Sequence, residues 1–546
     1  MAAFVDINAQ VCEAAIGQTL FECAEQLGVR VPTSCFKNGK CRECLVEVAA
    51  GSGMLSPPSP SEAHLREGFR LACQAKIVSE ARSIRCHTLR RGAMRIERQG
   101  TLAADTPGGI PHDPAVTRDG DWVLLDGQPL VQADGPLLGL AIDVGTTTVV
   151  VRLVDLETGR LRDARSFENP QRFAGSDIMA RIHYDGEQQG RLLQRTLLAY
   201  LGHAIEEFDC DPQTIYEAVV VGNTTMRDLA FGIDVASVGQ RPYRSVTQRE
   251  MADGVRQTTA VEATARQLRL PICPQARVVS LPLVSGHVGA DAAACLLAIG
   301  MADEDRTVAL MDIGTNTELI VGNRGRLLAA SCPAGPAFEG GAIACGMPGL
   351  EGAVESIRLS AVGIESLRTI GDGPPQGLCG SALVELLSEL LRTGRIDRFG
   401  RFVNDEHQFM IDETHNIYLN EPDISELAQA KGANAAGLRI VLSRYGIDLG
   451  EIDRFYLAGG FARHINVSAA RRIGLIPDLP DERIVQIGNA AIEGATRALC
   501  SASSRRRLDE LVRQIEHVEL ETDPQFFDHF VDGCQLAPLQ RLTPSS

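Results

Sequence analysis

Features that would place the protein in a membrane, outside the cell or on a nucleic acid are absent from its 546 residues. No apolar run approaches the roughly eighteen residues that a membrane-spanning helix needs. The opening M-A-A-F-V-D-I-N has neither a basic segment nor a long apolar core, so we expect no signal peptide. The net charge of −17 argues against a general nucleic-acid binder, which would present a basic face. We therefore expect a cytoplasmic protein with no membrane or nucleic-acid partner.

The chain is too long for a single hydrophobic core, so about two to four domains are expected. Its apolar fraction of 44% and charged fraction of 23% are ordinary for globular proteins. Its 15 cysteines, in contrast, are many. Because disulfides are rare in proteins without an export signal, a clustered set of cysteines here indicates metal ligation.

One set of cysteines clusters, in V-P-T-S-C-F-K-N-G-K-C-R-E-C and in the later F-R-L-A-C-Q-A-K-I. The spacing is Cys35-x5-Cys41-x2-Cys44, with Cys73 following alone. Zinc sites usually present two matched cysteine pairs. A compact triple followed by a distant cysteine is instead typical of [2Fe–2S] ferredoxins, here with one residue inserted. A zinc site and four free thiols are the alternative interpretations.

The residues around these cysteines predict a β-grasp, ferredoxin-like domain over 1–80. Residues 3–7 and 10–16 are typical of a hairpin. Thr19 and Glu22 have the spacing of a capping box at the start of a helix. Strands are expected after the cysteine triple.

Residues 81–136 lose any regular hydrophobic period and are partly rich in proline and glycine. This composition predicts a linker that contains a short strand or two, such as D-W-V-L-L.

The rest of the chain contains one pattern twice, L-G-L-A-I-D-V-G-T-T-T-V-V-V and V-A-L-M-D-I-G-T-N-T-E-L-I-V. Each copy predicts two strands joined by a tight turn, with Asp143 in the first matching Asp312 in the second. Small turn residues let the backbone approach a ligand, and their N–H groups can converge on an anion. The predicted anion-binding residues are Gly145, Thr146, Thr147, Gly314, Thr315 and Asn316. The two aspartates are placed to hold a cation beside that anion, which predicts a duplicated domain that closes on one nucleotide–Mg²⁺.

Further glycine motifs follow in an order that suits a duplicated ATPase. Gly289 and Asp291 begin a predicted helix, and Asp291 is the candidate for positioning Mg²⁺-bound or attacking water. Its alternative role is that of an acidic residue favoured at a helix N-terminus. The other candidate ligand-facing residues are Gly380, Ser381, Gly459 and Gly460, the last pair as a surface for a purine ring. Gly494 is expected to permit close helix packing.

These motifs together resemble the superfamily of actin, sugar kinases and Hsp70. The resemblance assigns a first phosphate motif to Asp143–Thr148, a second to Asp312–Glu318 and an adenosine motif to Leu457–Phe461. It implies a multidomain α/β protein whose ATPase is a duplicated, RNase H-like fold with lobes over 137–300 and 301–546.

The combination of this ATPase with an amino-terminal [2Fe–2S] domain resembles the reductive activators of corrinoid proteins. The resemblance covers nearly the whole chain, including G-N-T-T-M, C-P-A-G-P-A-F-E-G, G-L-C-G-S and Y-L-A-G-G-F. It implies an ATP-dependent reductase that passes one electron to the Co(II) of a corrinoid protein and restores Co(I) for a cobalamin-dependent methyltransferase. It also implies ATP and Mg²⁺, an upstream low-potential electron donor, and a homodimer. Relatives with a carboxy-terminal [4Fe–4S] unit are not matched, since Cys500 and Cys534 are isolated.

Three other functions are compatible with parts of this pattern. One is a redox-regulated small-molecule kinase, with Asp291 or Glu318 as its base. Another is a nucleotide-gated binding protein that remodels a partner without electron transfer. A third is an activator of a radical or dehydratase enzyme, which the plant-like cysteine triple disfavours.

Overall fold

The computed structural model describes residues 3–79, 83–89, 111–188, 190–404, 406–460 and 462–539. The amino-terminal part forms a five-stranded sheet in the order β2-β1-β5-β3-β4, with one helix packed beside it. Its elements are β1 Ala3–Ile7, β2 Gln10–Ala14, α1 Leu20–Gln26, β3 Leu45–Ala50, β4 Phe69–Leu71 and β5 Ser83–Thr88.

The predicted hairpin and helix start of this domain are confirmed. Strands β1 and β2 pair antiparallel. The Thr19 side chain accepts from the N–H of Glu22, whose carboxylate accepts from the N–H of Thr19 in return.

The sheet of this domain extends beyond residue 80, into the segment expected to be a linker. Strand β5 pairs parallel with β1 and antiparallel with β3, so it lies inside the sheet. Ile84 and Cys86 point into the core, while Ser83 and Arg85, which alternate with them, are exposed. This alternation has the period of a strand, but the basic residues in R-S-I-R-C-H-T obscure it in the sequence.

The remainder of the predicted linker contains a small antiparallel sheet, and its residues 90–110 lie outside the described part of the chain. The expected strand D-W-V-L-L is confirmed as the middle strand of the three. These strands are β6 Val116–Asp119, β7 Trp122–Leu125 and β8 Gln128–Gln132.

The first lobe is built on a six-stranded sheet in the order β11-β10-β9-β12-β14-β13. Its strands are β9 Leu138–Val144, β10 Thr148–Asp155, β11 Leu161–Glu168, β12 Ile215–Val221, β13 Glu262–Thr264 and β14 Arg277–Ser280. Its helices are α2 Ile178–Glu187, α3 Leu192–Glu206, α4 Thr224–Phe231, α5 Val246–Ala252, α6 Ala265–Leu268 and α7 Ala290–Ala298.

The second lobe has a central sheet in the order β24-β23-β15-β16-β17-β25 and two small sheets, β19-β18-β20 and β21-β22. Its strands are β15 Val308–Ile313, β16 Thr317–Asn323, β17 Arg326–Cys332, β18 Ala353–Leu359, β19 Ile364–Thr369, β20 Gly377–Leu378, β21 Gln408–Asp412, β22 Ile417–Asn420, β23 Arg454–Ala458, β24 Ile484–Gly488 and β25 Ile515–His517. The helices of this carboxy-terminal half are α8 Gly380–Arg392, α9 Glu421–Tyr445, α10 Val467–Ile473, α11 Ala490–Cys500, α12 Ala502–Val512 and α13 Phe526–Gly533.

The two central sheets repeat one topology, which confirms the predicted duplication. In the first, β11, β10 and β9 run antiparallel to one another, and β12 and β14 run parallel to β9. In the second, β17, β16 and β15 are antiparallel, and β23 and β24 run parallel to β15. Asp143 and Asp312 therefore occupy equivalent positions near the carboxyl ends of equivalent central strands.

The hydrophobic cores do not correspond one to one with the amino-terminal domain and the two lobes. The apolar residues of the amino-terminal domain and of the first lobe form one continuous core, and most of the second lobe forms another. Helix α11 belongs to the first of these cores, although in sequence it lies within the carboxy-terminal half of the chain. A Cβ at Gly494 on α11 would lie 1.9 Å from the carbonyl oxygen of Ala294 on α7, which confirms the expected close helix packing. In the described residues, none of the helices combines the length and the apolar character needed to cross a bilayer.

Candidate nucleotide and iron–sulfur sites

The two predicted anion-binding turns meet where the lobes face each other. Thr147 Oγ1 in the first turn lies 3.3 Å from Thr315 Oγ1 in the second. Residues 168 positions apart in the chain thus share one site, as the duplicated pattern predicted. The turns follow the central strands β9 and β15, whose buried positions fix the direction in which each turn leaves its sheet.

The first turn directs its amide groups away from the lobe that carries it. Asn169 Nδ2 donates to the carbonyl of Gly145 at 2.8 Å, and Arg181 Nη2 donates to that of Thr146 at 2.6 Å. In a trans peptide the C=O and the following N–H point in opposite directions. The N–H groups of Thr146 and Thr147 are therefore turned away from these two side chains, as an anion-binding turn requires.

The second turn is held in a similar way from the glycine-rich loop. The N–H of Gly335 donates to the carbonyl of Thr315 at 2.9 Å, so the N–H of Asn316 points in the opposite direction. Glu339, in the same loop, accepts from Thr147 Oγ1 at 3.0 Å and from Thr315 Oγ1. Burial raises the pKa of this carboxyl group. Its carboxylate therefore connects the two turns across the cleft.

Asp143, Asp291 and Asp312 converge beside these turns. Burial raises the pKa of Asp143 to about 7, that of Asp291 to about 7 and that of Asp312 to about 6. The charge of Asp312 adds to the shift of both other groups, so the three carboxyl groups are close to one another. Asn489 Nδ2 donates to Asp143 at 2.7 Å, and the Cys295 thiol donates to Asp312 at 3.3 Å.

These aspartates fit a magnesium ion that keeps its water shell. Among the described residues, no three or more histidine, cysteine or acidic side chains are arranged to ligate one ion directly. Mg²⁺ dehydrates reluctantly and is commonly held through water and substrate phosphates with only one or two carboxylates. Buried carboxylates with raised pKa values also gain most from a nearby cation, because it compensates for the lost hydration.

Asp291 lies where the sequence predicted. Helix α7 begins immediately after Gly289, and Asp291 is in its first turn. Gly222, in G-N-T-T-M, accepts from the N–H groups of Ala290 and Asp291, which fixes this helix start against the first lobe.

The predicted purine surface follows strand β23. Ala458 pairs with Asp312 in the parallel register, which places Gly459 beside the end of β15. Gly459 has φ +120°, and a Cβ there would lie 2.2 Å from the carbonyl oxygen of Ile313. Gly460 is exposed and has open space where a Cβ would be. Phe461, the last residue of the predicted adenosine motif, lies outside the described residues.

Alanine substitutions at Gly459 and Gly460 should have different effects on stability and on ATP binding. Gly459→Ala is expected to destabilise the protein by about 1–3 kcal/mol or more, because the new Cβ meets backbone at a left-handed φ. Gly460→Ala is expected to leave stability unchanged but to weaken ATP binding, since the methyl group occupies the open surface. Denaturant unfolding and nucleotide titration of both variants test this. Equal stability of the two variants would contradict it.

Gly380 and Ser381 begin helix α8, as predicted. Both are buried, and Ser381 Oγ donates to the carbonyl of Glu355 at 2.8 Å. Ser381 thus has a partner within the second lobe, and its contact with a nucleotide stays a prediction.

The four clustered cysteines form two thiol pairs. The Cys44 thiol donates to Sγ of Cys73 at 3.3 Å. Cys35 is bonded by both the N–H and the thiol of Cys41. Because a tetrahedral metal with sulfur ligands at 2.3 Å separates them by about 3.8 Å, each pair suits one metal. Two such pairs match the ligands of a two-iron cluster better than those of a single zinc ion.

Hydrogen bonds favour the thiolate form of one cysteine in each pair. For Cys35, burial opposes ionisation, but bonds from Cys41 and from the N–H groups of Asn38 and Lys40 lower the pKa to about 7. For Cys73, hydrogen bonds from the Cys44 thiol and from Nε2 of Gln74, the latter at 3.4 Å, lower the pKa to about 6, while the same thiol bond raises the pKa of Cys44. Thiolates are the form that binds iron, so this part of the chain fits a [2Fe–2S] cluster.

Sequence reasoning missed the residues that support the site. Asn169, Arg181 and Asn489 contact the first turn or Asp143 from 24 or more positions away. No local motif predicts these contacts. The available signal was weak: Asn489 and Asn223 precede predicted helices, where asparagine caps.

Comparison with known families divides the chain into three matched parts. Residues 4–78 match the 2Fe-2S iron–sulfur cluster binding domain, residues 138–304 the RACo middle region, and residues 306–545 the carboxy-terminal ASKHA domain of RACo. These matches support an iron–sulfur cluster in the first part and nucleotide binding in the last.

Individual relatives agree with these matches. The chain is 30% identical over 438 residues to the corrinoid activation enzyme RamQ of Eubacterium limosum, covering 75% of this chain and 72% of RamQ. It is 23% identical over 434 residues to the Co(II) methylated amine-specific corrinoid protein reductase of Methanosarcina barkeri, covering 73% and 77%. A solved reductive activator for corrinoid, iron-sulfur protein aligns over 98% of this chain and 99% of its own, with a TM-score of 0.71 and 27% identity. The resemblance inferred from the motifs is confirmed, and the chain belongs to the family of ATP-dependent reductive activators of corrinoid proteins.

Proposed function

We propose that the protein uses ATP to drive one electron from an amino-terminal [2Fe–2S] cluster to the Co(II) of a corrinoid protein, which restores Co(I) for a cobalamin-dependent methyltransferase. The observation that carries this proposal is the presence, in one chain, of two thiol pairs and a duplicated nucleotide cleft. The names of RamQ and of the Methanosarcina reductase support the corrinoid partner. We infer a ferredoxin-like domain that ends after β5 and ATPase lobes over 137–300 and 301–546.

Cys35, Cys41, Cys44 and Cys73 are the proposed ligands. When bound, a plant-type cluster supplies a one-electron donor near about −400 mV. Hydrogen bonds from the backbone N–H groups of Asn38 and Lys40 to Cys35, and of Gly39 to Cys73, would stabilise the thiolates. An upstream low-potential donor is required to supply each electron.

ATP is needed because the Co(II) of a corrinoid protein has a lower reduction potential than the cluster. The electron transfer is therefore unfavourable by itself. An uphill step of about 100 mV costs roughly 2.3 kcal/mol for one electron. Binding the corrinoid protein so that an axial ligand leaves cobalt would lower this cost. Opening and closing of the two lobes, driven by ATP binding and hydrolysis, would then release the otherwise stable complex.

The nucleotide roles follow the geometry of the cleft. The turn amides of Gly145–Thr147 and Gly314–Asn316 would bind the phosphates. Asp143 and Asp312 would hold Mg²⁺ through water, and Asp291 would orient the attacking water. Gly459 and Gly460 would lie under the adenosine.

Mg²⁺–nucleotide binding should strengthen as the pH rises from 5.5 to 8. The aspartates have raised pKa values and must release protons when the cation binds. Each released proton contributes up to about tenfold in affinity per pH unit. Without ligand, the folded state holds more protons than the unfolded chain between about pH 4 and pH 7, so its unfolding free energy falls over that range. Calorimetric titration at several pH values measures the affinity.

Asp143→Asn is the control for this pH dependence. It removes one titrating group, so the affinity should depend less steeply on pH. The nucleotide phosphate titrates in the same way with both proteins, so the difference between their slopes reports on Asp143 alone. Parallel slopes for the two proteins would contradict a magnesium role for Asp143.

The direct test of the function combines the purified protein, a corrinoid protein and a low-potential donor. We expect ATP-dependent appearance of Co(I) absorbance and ATP hydrolysis that the corrinoid protein stimulates. Absence of both, with several corrinoid proteins, would overturn the proposal. The proposal also includes a homodimer, and sedimentation analysis of the purified protein tests the oligomeric state.

A further inference from the structure

Arg172 of the first lobe holds the ferredoxin-like domain at strand β3. Its guanidinium forms an ion pair with Glu47 on β3, three residues after the ligand Cys44. It also lies 5.9 Å from the ring centre of Phe69 on β4. The Arg172 and Glu47 side chains are only 17% and 24% exposed, so solvent screens this pair less than a surface ion pair.

Arg195, on helix α3 of the same lobe, holds the cysteine loop itself. Its Nη2 donates to the carbonyl of Cys41 at 2.9 Å, and its Nη1 lies 3.3 Å from Glu43. The two arginines therefore contact the residues on both sides of Cys44.

The segment that carries Arg172 also supports the first phosphate-binding turn. Arg172 lies in the short 3₁₀ helix Pro170–Ala174, which Asn169 caps. The N–H of Asn169 donates to the carbonyl of Thr147 at 2.7 Å, and its Nδ2 donates to that of Gly145 at 2.8 Å. A shift of the turn would therefore move Asn169 and, three residues later, Arg172.

Arg195 has a longer connection to the same turn. Its neighbour Gln194 donates to the carbonyl of Ala230 at the end of helix α4. Asn223, which caps the start of α4, donates to Thr146 Oγ1 at 2.9 Å. The 3₁₀ helix of Arg172 thus contacts the turn directly, whereas helix α3 of Arg195 contacts it only through α4. Arg172 contacts strand β3, and Arg195 contacts the cysteine loop that precedes it.

We propose that Arg172 and Arg195 are positioning residues that couple the nucleotide state of the first turn to the placement of the ferredoxin-like domain. The coupling rests on the proposed function, since it describes how ATP would control when the cluster domain can reach a redox partner. Phosphate bound to the turn amides changes the position of Asn169 and of its 3₁₀ helix. The hold of Arg172 on Glu47 changes with it, because interfaces of this kind switch between discrete arrangements.

Hydrogen exchange on the cluster-loaded protein alone tests this coupling. With Mg²⁺ and a non-hydrolysable ATP analogue, the exchange rate of β3 amides should change about fivefold or more. Strand β2, an edge strand of the same sheet that β1 and β5 separate from β3, serves as the internal reference. In Arg172→Gln this response should be lost, while cluster absorbance and intrinsic ATP hydrolysis stay at the wild-type level. Arg195→Gln should reduce the response in the loop around Cys41.

Arg30→Gln is the matched control. Arg30 also pairs across the interface, with Glu206 at the end of helix α3 at 2.8 Å, but its side chain is 60% exposed, so solvent screens this pair more than that of Arg172. Glu47→Gln should reproduce the Arg172→Gln result, and the double variant should be no worse than either single one. With a corrinoid protein present, the electrons delivered per ATP should fall about fivefold or more in Arg172→Gln and stay unchanged in Arg30→Gln.

The exchange result stands independently of cobalt chemistry. If β3 exchange does not respond to nucleotide in the wild type, or responds equally in Arg172→Gln, the interface is static packing and the coupling proposal is wrong. If exchange responds as expected but no Co(I) forms, the proposed function fails while the coupling holds.

Discussion

Cys41→Ser is expected to abolish cluster assembly and, with it, every electron delivered to Co(II). Cys41 is one of the two proposed ligands in the Cys35–Cys41 pair, and serine oxygen is a poor replacement for thiolate at iron. Since loss of a supporting outer contact alone weakens metal sites about 10–100-fold, loss of a ligand should exceed that. Visible absorbance and iron content of anaerobically purified protein measure assembly, and Co(I) absorbance measures transfer. ATP hydrolysis without the partner should remain near the wild-type rate.

Cys12→Ser is the matched control for this prediction. Cys12 is 8% exposed, close to the 5% of Cys41, and lies in the same domain but outside the cysteine pattern. It should retain iron and electron transfer. If Co(I) forms as well with Cys41→Ser as with Cys12→Ser, the donor reduces cobalt without the cluster. That is the result expected of a nucleotide-gated remodelling factor, and it would make the electron-transfer proposal wrong.

Asp312→Asn is expected to lower ATP hydrolysis by about 10²–10³-fold, the loss typical of one removed electrostatic contact to a transition state. The amide keeps the shape of the side chain but cannot hold a magnesium ion's water shell as a carboxylate does. Cobalt reduction should fall with it, whereas the cluster spectrum should be unchanged, because Asp312 lies in the ATPase cleft. Steady-state hydrolysis and the visible spectrum of the same preparation check both parts.

Asp305→Asn provides the comparison for Asp312→Asn. Asp305 lies just before β15 and pairs with Arg324, with 72% of its side chain exposed. This change should leave both activities intact, because exposed ion pairs contribute little. Wild-type hydrolysis in Asp312→Asn would remove the aspartate from the proposed mechanism.

The two variants together separate the rival functions. Loss of cobalt reduction in both, with the cluster lost only in Cys41→Ser and hydrolysis lost only in Asp312→Asn, is the pattern of an ATP-driven electron-transfer protein. A kinase would instead show phosphoryl transfer to a small molecule that survives Cys41→Ser. In that case a polyol screen would identify the substrate.

Much of the candidate site could be predicted because its residues lie in short, local motifs. The cysteine spacing, the paired Asp-x-Gly-Thr turns and the glycines that follow buried strands are all read within a few residues of one another. The repeat of one hairpin predicted a duplicated domain, and the matching order and direction of strands in both central sheets confirm it. Strand β5 was missed because charged residues cover its exposed face.

The residues that the sequence could not supply are those that act across long separations. Asn169 and Arg181 orient the first turn, Glu339 joins the two turns, and Arg172 ties the turn's support to the cluster domain. Asn169, Arg181 and Arg172 belong to segments that have no motif of their own, and the motif that contains Glu339 gives no indication of its contact with the first turn.

The amino-acid sequence by itself predicted the candidate cluster ligands, the anion-binding turns and the family, because close spacing in the chain sets which backbone groups and thiols can meet. Only the tertiary structure decided which distant side chains complete the cleft and where the ferredoxin-like domain docks. Those contacts form when two hydrophobic cores pack and bring remote segments together, and no local pattern encodes the result.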